Sequence, residues 1–148
     1  MNFTDVKLID ILVVEDNPGD ARLITEVLKQ NKLHNTLNIV KDGIEAMDFL
    51  RQRGEFTGAP RPDLIFLDLN LPKKDGREVL AEIKTDKYLK LIPVVVMTTS
   101  QAEEDIAKSY SLHANCYVTK PIDFDQFMHV VSSIENFWFS LVKLPAKL

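Results

Sequence analysis

Apolar residues fall into two alternating kinds of run along this chain. Short blocks at 9–14 (IDILVV), 36–40 (TLNIV), 64–67 (LIFL), 94–97 (VVVM) and 116–119 (CYVT) are apolar with little alternation. Between them, apolar residues recur every three or four positions. The first kind suits strands covered on both faces in a parallel sheet, and the second suits amphipathic helices. Asn17-Pro18 provides a cap and a proline at the first helical position, and Leu23, Ile24, Val27 and Leu28 share one face, predicting a helix over 18–30. Asp42-Gly43 reads as the turn after the second strand. Ala46, Phe49 and Leu50 mark a second helix that fades at Gly54, and Val79, Leu80 and Ile83 mark a third over about 77–86. Ile106, Ala107 and Tyr110 suggest a weaker fourth. Asp123 caps a fifth, with Phe127, Val131, Ile134 and Trp138 on its apolar face. Residues 54–62 carry two glycines and two prolines and read as a surface loop.

Five strands alternating with five helices predict an α/β fold with a doubly wound, five-stranded parallel sheet. Right-handed crossovers leave few possible orders, and the order 2-1-3-4-5 sets strands 1 and 3 side by side at the switch point where ligands bind. That order gathers the polar residues that end the strands. Strand 1 delivers Glu15 and Asp16, strand 3 Asp68, strand 4 Thr98 and strand 5 Lys120.

Composition narrows the setting. The 148 residues are 45% hydrophobic and 27% charged. That is enough for one globular domain. The net charge of −4 gives no basic footprint for nucleic acid. Cys116 is the single cysteine, so no internal disulfide can form, which fits the cytoplasm. No export signal or membrane-spanning stretch is visible.

Three close carboxylates repel one another, and a hard divalent cation relieves the conflict. Mg2+ favours a few carboxylates, water and phosphate oxygens. An aspartate beside such an ion can attack phosphorus and form an acyl phosphate. A lysine and a threonine hydroxyl can then meet the phosphate oxygens.

These residues together resemble the receiver domain of two-component response regulators, over about 8–139. The motifs are Glu15-Asp16 after strand 1, Asp68 after strand 3, Thr98 after strand 4 and Lys120-Pro121 after strand 5. The intervals from Asp68 to Thr98 and from Asp68 to Lys120 fit the same pattern. The resemblance implies the flavodoxin-like receiver fold and a phosphoacceptor role for Asp68, supplied by a sensor histidine kinase. It also implies Mg2+ held by Glu15, Asp16, Asp68 and the Asn70 main-chain carbonyl, phosphoryl contacts from Thr98 and Lys120, and a switch formed by Thr98 and Tyr117. Lys120-Pro121 would be a cis peptide. Glu15 departs from the family's frequent aspartate, and Thr99 stands where a small residue is usual.

The stretches RPDLIFLDLNLPKKDGREVLAEIK, IPVVVMTTS and IENFWFSLVKLP look like the small regulators paired with bacteriophytochromes and cyanobacterial phytochromes. That implies a stand-alone receiver with a core at about 8–139, an extension at 140–148 and no output domain. A phytochrome-type kinase would be its partner, the downstream protein being unspecified. Its signalling surface would comprise the fourth helix, fifth strand and fifth helix. Phe137, Trp138 and Phe139 place aromatics on more than one helical face, and a homodimer would cover them. The protein would promote only its own phosphorylation and dephosphorylation.

Plainer readings stand beside these. A lone aspartate after an apolar run is ordinarily a turn residue, and Glu15-Asp16 could serve the dipole of the following helix. Tyr117 could be an ordinary half-buried aromatic. His34, His113 and His129 lack ligand spacing, and Lys73, Lys74 and Arg77 read as a solvated loop. Two other functions compete. A haloacid-dehalogenase-like phosphatase would need an acid where Asn70 stands. A flavin-binding domain would need a phosphate loop after strand 1 in place of acids.

Overall fold

The structure, a computed structural model, describes residues 8–30, 35–99 and 116–142, with 135–142 described by backbone alone. The fourth helix expected around Ile106, Ala107 and Tyr110 lies outside these residues, as do His34, His113 and the side chains of Phe137, Trp138 and Phe139.

Five parallel strands form one sheet in the order β2-β1-β3-β4-β5. They are β1 (Ile9–Val14), β2 (Asn35–Val40), β3 (Leu64–Asp68), β4 (Val94–Thr98) and β5 (Cys116–Thr119). The helices α1 (Pro18–Gln30), α2 (Gly43–Leu50) and α3 (Gly76–Thr85) connect them, and a long C-terminal helix, Phe124–Val142, closes the described chain. Every residue of β3 and β4 is buried, which explains why their sequences do not alternate.

Successive side chains of each strand serve opposite faces. On one face Leu12, Val14, Ile65, Leu67, Val94 and Val96 meet α2 and α3. On the other Ile11, Val13, Phe66, Val95 and Met97 meet Ile24, Val27 and Leu28 of α1 and Phe127 and Val131 of the C-terminal helix. The Phe66 and Phe127 rings lie 5.5 Å apart at 59°. Tilted contacts of this kind are favoured by the ring quadrupoles. Full burial of side chains such as Ile24 or Leu28 stabilises the fold by about 1.5–3 kcal/mol each. No helix among the described residues is long and apolar enough to cross a membrane.

Capping residues set the helix starts, and two of them shift the expected boundaries. Asn17 Oδ1 accepts from the Asp20 N–H at 3.0 Å, as the Asn17-Pro18 pair predicts. Asp42 does not make a free turn. It caps α2, accepting from the Glu45 N–H at 2.7 Å, and Gly43 is already helical. Asp75 accepts from the Arg77 N–H, so α3 begins at Gly76. At its other end α2 stops at Leu50, short of Gly54. Gln52 takes a left-handed φ of 55°. A helix cannot continue through that conformation. The loop that follows includes one tight turn, Gly54–Phe56.

Candidate functional site

Register brings the strand ends to one edge. Val14 pairs with Leu67, Asp68 with Met97, and Thr98 with Thr119. Glu15 follows β1 directly, and its N–H donates to the Val40 carbonyl at 3.0 Å. It is 1% exposed, and Asp68, the last residue of β3, is 2% exposed. Asp16 stands exposed beside them. One carboxylate oxygen from each of Glu15, Asp16 and Asp68 lies within 4.8 Å of the others.

Lys120 comes to this group from the end of β5. Its N–H donates to the Thr98 carbonyl at 2.6 Å, continuing the ladder one residue past the strand. The ammonium nitrogen lies 2.8 Å from Asp68 Oδ2, 2.8 Å from Glu15 Oε1 and 2.9 Å from Asp20 Oδ2. Asp68 Oδ2 accepts a hydrogen bond from it. Towards Glu15 the ammonium forms an ion pair with the buried Oε1. The other oxygen, Oε2, accepts from the Asn17 N–H at 3.2 Å.

Electrostatics follow from this crowding. Burial, reinforced by the Asp68 carboxylate, pushes the Glu15 pKa up to about 7. For Lys120, burial alone would lower the pKa. The carboxylates of Asp68, Glu15 and Asp20 outweigh it, and the net shift is upward. The cluster thus holds more negative charge than Lys120 balances. Its candidate metal donors are all carboxylate oxygens. That set suits a hard divalent cation and offers no soft ligand for zinc.

Asp68 is held in place from several sides. The Asn70 N–H donates to Asp68 Oδ1 at 2.9 Å, and the Leu69 N–H donates to the Met97 carbonyl at 3.0 Å. A Cβ on Gly76 would run into the Asp68 carbonyl oxygen and the Leu69 Cα. Only glycine lets α3 begin so close to the strand end. Asn70 Nδ2 also donates to Thr99 Oγ1 at 3.2 Å, tying the loop after β3 to the end of β4.

The structure therefore brings together Glu15, Asp16, Asp68 and Lys120 by direct distance. Thr98, fully buried, ends the strand beside Asp68. Asn70 meets Asp68 through its N–H. Lys120-Pro121 is cis. Tyr117, half-buried, sits opposite Val96 in the register and packs against that face of the core. Lys73, Lys74 and Arg77 are engaged with Asp42, Glu82 and Asp75. His129 is exposed. Sequence reasoning missed Asp20, and the signal for it was weak, because an acid in a first helical turn is common without any site.

A carboxylate cluster paired with a lysine at a sheet edge of this order narrows the class of protein, and family comparison agrees. Residues 11–132 match the response regulator receiver domain, and the chain belongs to that family. The match sets aside the phosphatase and flavin-binding readings. The chain is 56% identical to the response regulator Rcp1 of Synechocystis sp. over 136 residues, covering 92% of each. A crystal structure of the Mn2+-bound form of Rcp1 aligns with a TM-score of 0.77 at 55% identity, covering 88% of this chain and 94% of that one. The phosphorylated cyanobacterial phytochrome response regulator RcpA aligns with a TM-score of 0.79 at 56% identity, covering 90% and 96%. The bacteriophytochrome response regulator RtBRR aligns with a TM-score of 0.78 at 42% identity, covering 85% and 77%. The family, the fold and the likeness to phytochrome regulators are all as the sequence implies.

Proposed function

We propose that the protein is a phosphorylation switch in which Asp68 accepts a phosphoryl group from a phosphohistidine on a sensor kinase. One observation carries this reading. The Asp68 carboxylate, 2% exposed, has Glu15 and Asp16 within ligand distance of a shared ion and Lys120 at 2.8 Å. Glu15, Asp16, Asp68 and the Asn70 main-chain carbonyl would hold Mg2+. Bound there, Mg2+ supplies charge neutralisation for the acids and the incoming phosphate oxygens. The Mn2+-bound Rcp1 structure supports a divalent ion, and phosphorylated RcpA supports an acceptor in this fold.

In the transfer, an Asp68 carboxylate oxygen attacks phosphorus. A P–O bond forms as the P–N bond breaks, and the bonding pair returns to the imidazole nitrogen. Lys120 and Thr98 bind the phosphoryl oxygens, and Tyr117 follows Thr98 inward. The surface of the fourth helix, β5 and the C-terminal helix then changes its partners. The protein promotes only its own phosphorylation and dephosphorylation, in the cytoplasm with its kinase. A phytochrome-type kinase is the donor, as RcpA and RtBRR suggest. A homodimer would cover the aromatic residues Phe137, Trp138 and Phe139.

The test is transfer from a phytochrome-type histidine kinase labelled on its histidine. Label should pass to the wild type in Mg2+ and stay on the kinase when Asp68→Asn replaces it. Label retained by the kinase in both cases would contradict the assignment of this donor.

A further inference from the structure

We infer that Asp20 is a positioning residue for the proposed reaction, holding the Lys120 ammonium at the sheet edge while Glu15 and Asp68 are engaged elsewhere. The inference rests on the function proposed above and adds a residue to it. Lys120 meets three carboxylates at 2.8, 2.8 and 2.9 Å, and the three are not equivalent. Glu15 and Asp68 also belong to the carboxylate group able to share a cation. Asp20 does not. When a divalent ion draws on Glu15, and Asp68 carries the phosphoryl group, Asp20 is the partner left to the lysine.

The position of Asp20 is set independently of the site. Its N–H is capped by Asn17 Oδ1 at 3.0 Å, on a helix anchored by buried Ala21, Ile24, Val27 and Leu28. As an acid in a first helical turn it also has a favourable place in the helix dipole. That role needs only exposure to the first N–H groups, whereas here the carboxylate reaches across to β5. The Asp20 and Lys120 side chains are 26% and 12% exposed, so their ion pair is partly shielded from water. Lysine has many rotamers to lose on ordering. A fixed acid paired with the ammonium limits that freedom and keeps the nitrogen within reach of Asp68.

A double-mutant cycle tests this, read by intact mass with a small acyl-phosphate donor. Asp20→Ala should slow phosphoryl loading at saturating Mg2+ by about three- to tenfold, the scale of one partly exposed ion pair. The Mg2+ half-saturation should move by less than about twofold. In a Lys120→Gln background the same substitution should change the rate by less than about twofold. No slowing, equal slowing in both backgrounds, or a loss accounted for by weaker Mg2+ binding would each overturn the inference.

Melting temperature provides a readout that does not require phosphorylation. Asp20→Ala should raise Tm more in the Lys120→Gln background than in the wild type, because there the acid has only repulsion to lose. The difference should be about 2–4 °C and should persist in Mg2+. A Tm effect independent of Lys120 would refute the pairing. If the wild type accepts no phosphoryl group, the proposed function fails on its own while the melting cycle still decides the contact.

Discussion

Lys120 reaches Asp68 across the full width of β4, donating to its Oδ2 at 2.8 Å although the two residues are 52 apart in sequence. Strand order makes this possible, because β3, β4 and β5 lie side by side and end within one residue of each other in register. The lysine therefore serves as the cation of an acidic site, and its removal exposes what it was balancing.

In the absence of metal, Lys120→Gln leaves the buried Asp68 carboxylate without its cation, with the Asn70 N–H still donating to it. Stability should fall on the order of 3–5 kcal/mol, the cost of breaking a buried pair by removing one member. Saturating Mg2+ should restore much of the loss. Urea unfolding with chelator and with Mg2+ checks both, and an unchanged midpoint in chelator would contradict the pairing.

Glu15 makes stability depend on pH in a definite direction. Its folded pKa of about 7 lies above the ordinary value of 4.5. Between those values the folded protein keeps a proton that the unfolded chain has lost. The contribution of this group is thus fully present below about 4.5 and is lost as pH rises through about 7, at about 1.4 kcal/mol per pH unit. In chelator, wild type relative to Glu15→Gln should lose stability from about pH 5 to about pH 7.5. A difference between the two that does not vary with pH would refute the assignment. Proton and metal compete for the same carboxylate, so Mg2+ affinity should weaken below about pH 7.

Gly76→Ala drives a methyl group into the backbone of Asp68 and Leu69. Overpacking of this kind costs about 1–3 kcal/mol. Unlike a core substitution elsewhere, it should also slow phosphoryl loading in protein that remains folded. A Gly76→Ala variant with wild-type stability and rate would show that α3 can move away from Asp68 without consequence.

The Asn70–Thr99 hydrogen bond ties the loop after β3 to the end of β4 beside Asp68. Thr99→Ala and Asn70→Ala should each shorten the lifetime of the acyl phosphate by about fivefold, since a lost hydrogen bond of about 1 kcal/mol opens access for water. The decay of phosphoprotein mass after donor removal measures this. Unaltered lifetimes would mean that the bridge does not gate water.

Much of the frame was legible because local and global signals agree. The apolar blocks 9–14 and 116–119 are the strands Ile9–Val14 and Cys116–Thr119 without adjustment, and Asn17-Pro18 marks the start of α1. The strand-end residues Glu15, Asp16, Asp68 and Lys120 were readable once the sheet order was inferred, since order alone decides which ends meet. Features that depend on side-chain reach between elements were not legible. Asp20 looks like any first-turn acid until Lys120 is placed opposite it. Gly76 reads as the end of a loop, and only the approach of α3 to the Asp68 carbonyl explains why it cannot carry a Cβ. Asp42 resembled a turn residue because Asp-Gly is a strong turn signal, but its side chain found the Glu45 N–H and capped α2.

Intact mass after incubation with a small acyl-phosphate donor, for wild type and Asp68→Asn, with Mg2+ and with chelator, decides whether Asp68 accepts the phosphoryl group. The wild type should gain one phosphoryl group, and only with Mg2+. No gain in the wild type, or an equal gain in Asp68→Asn, would contradict Asp68 as the acceptor.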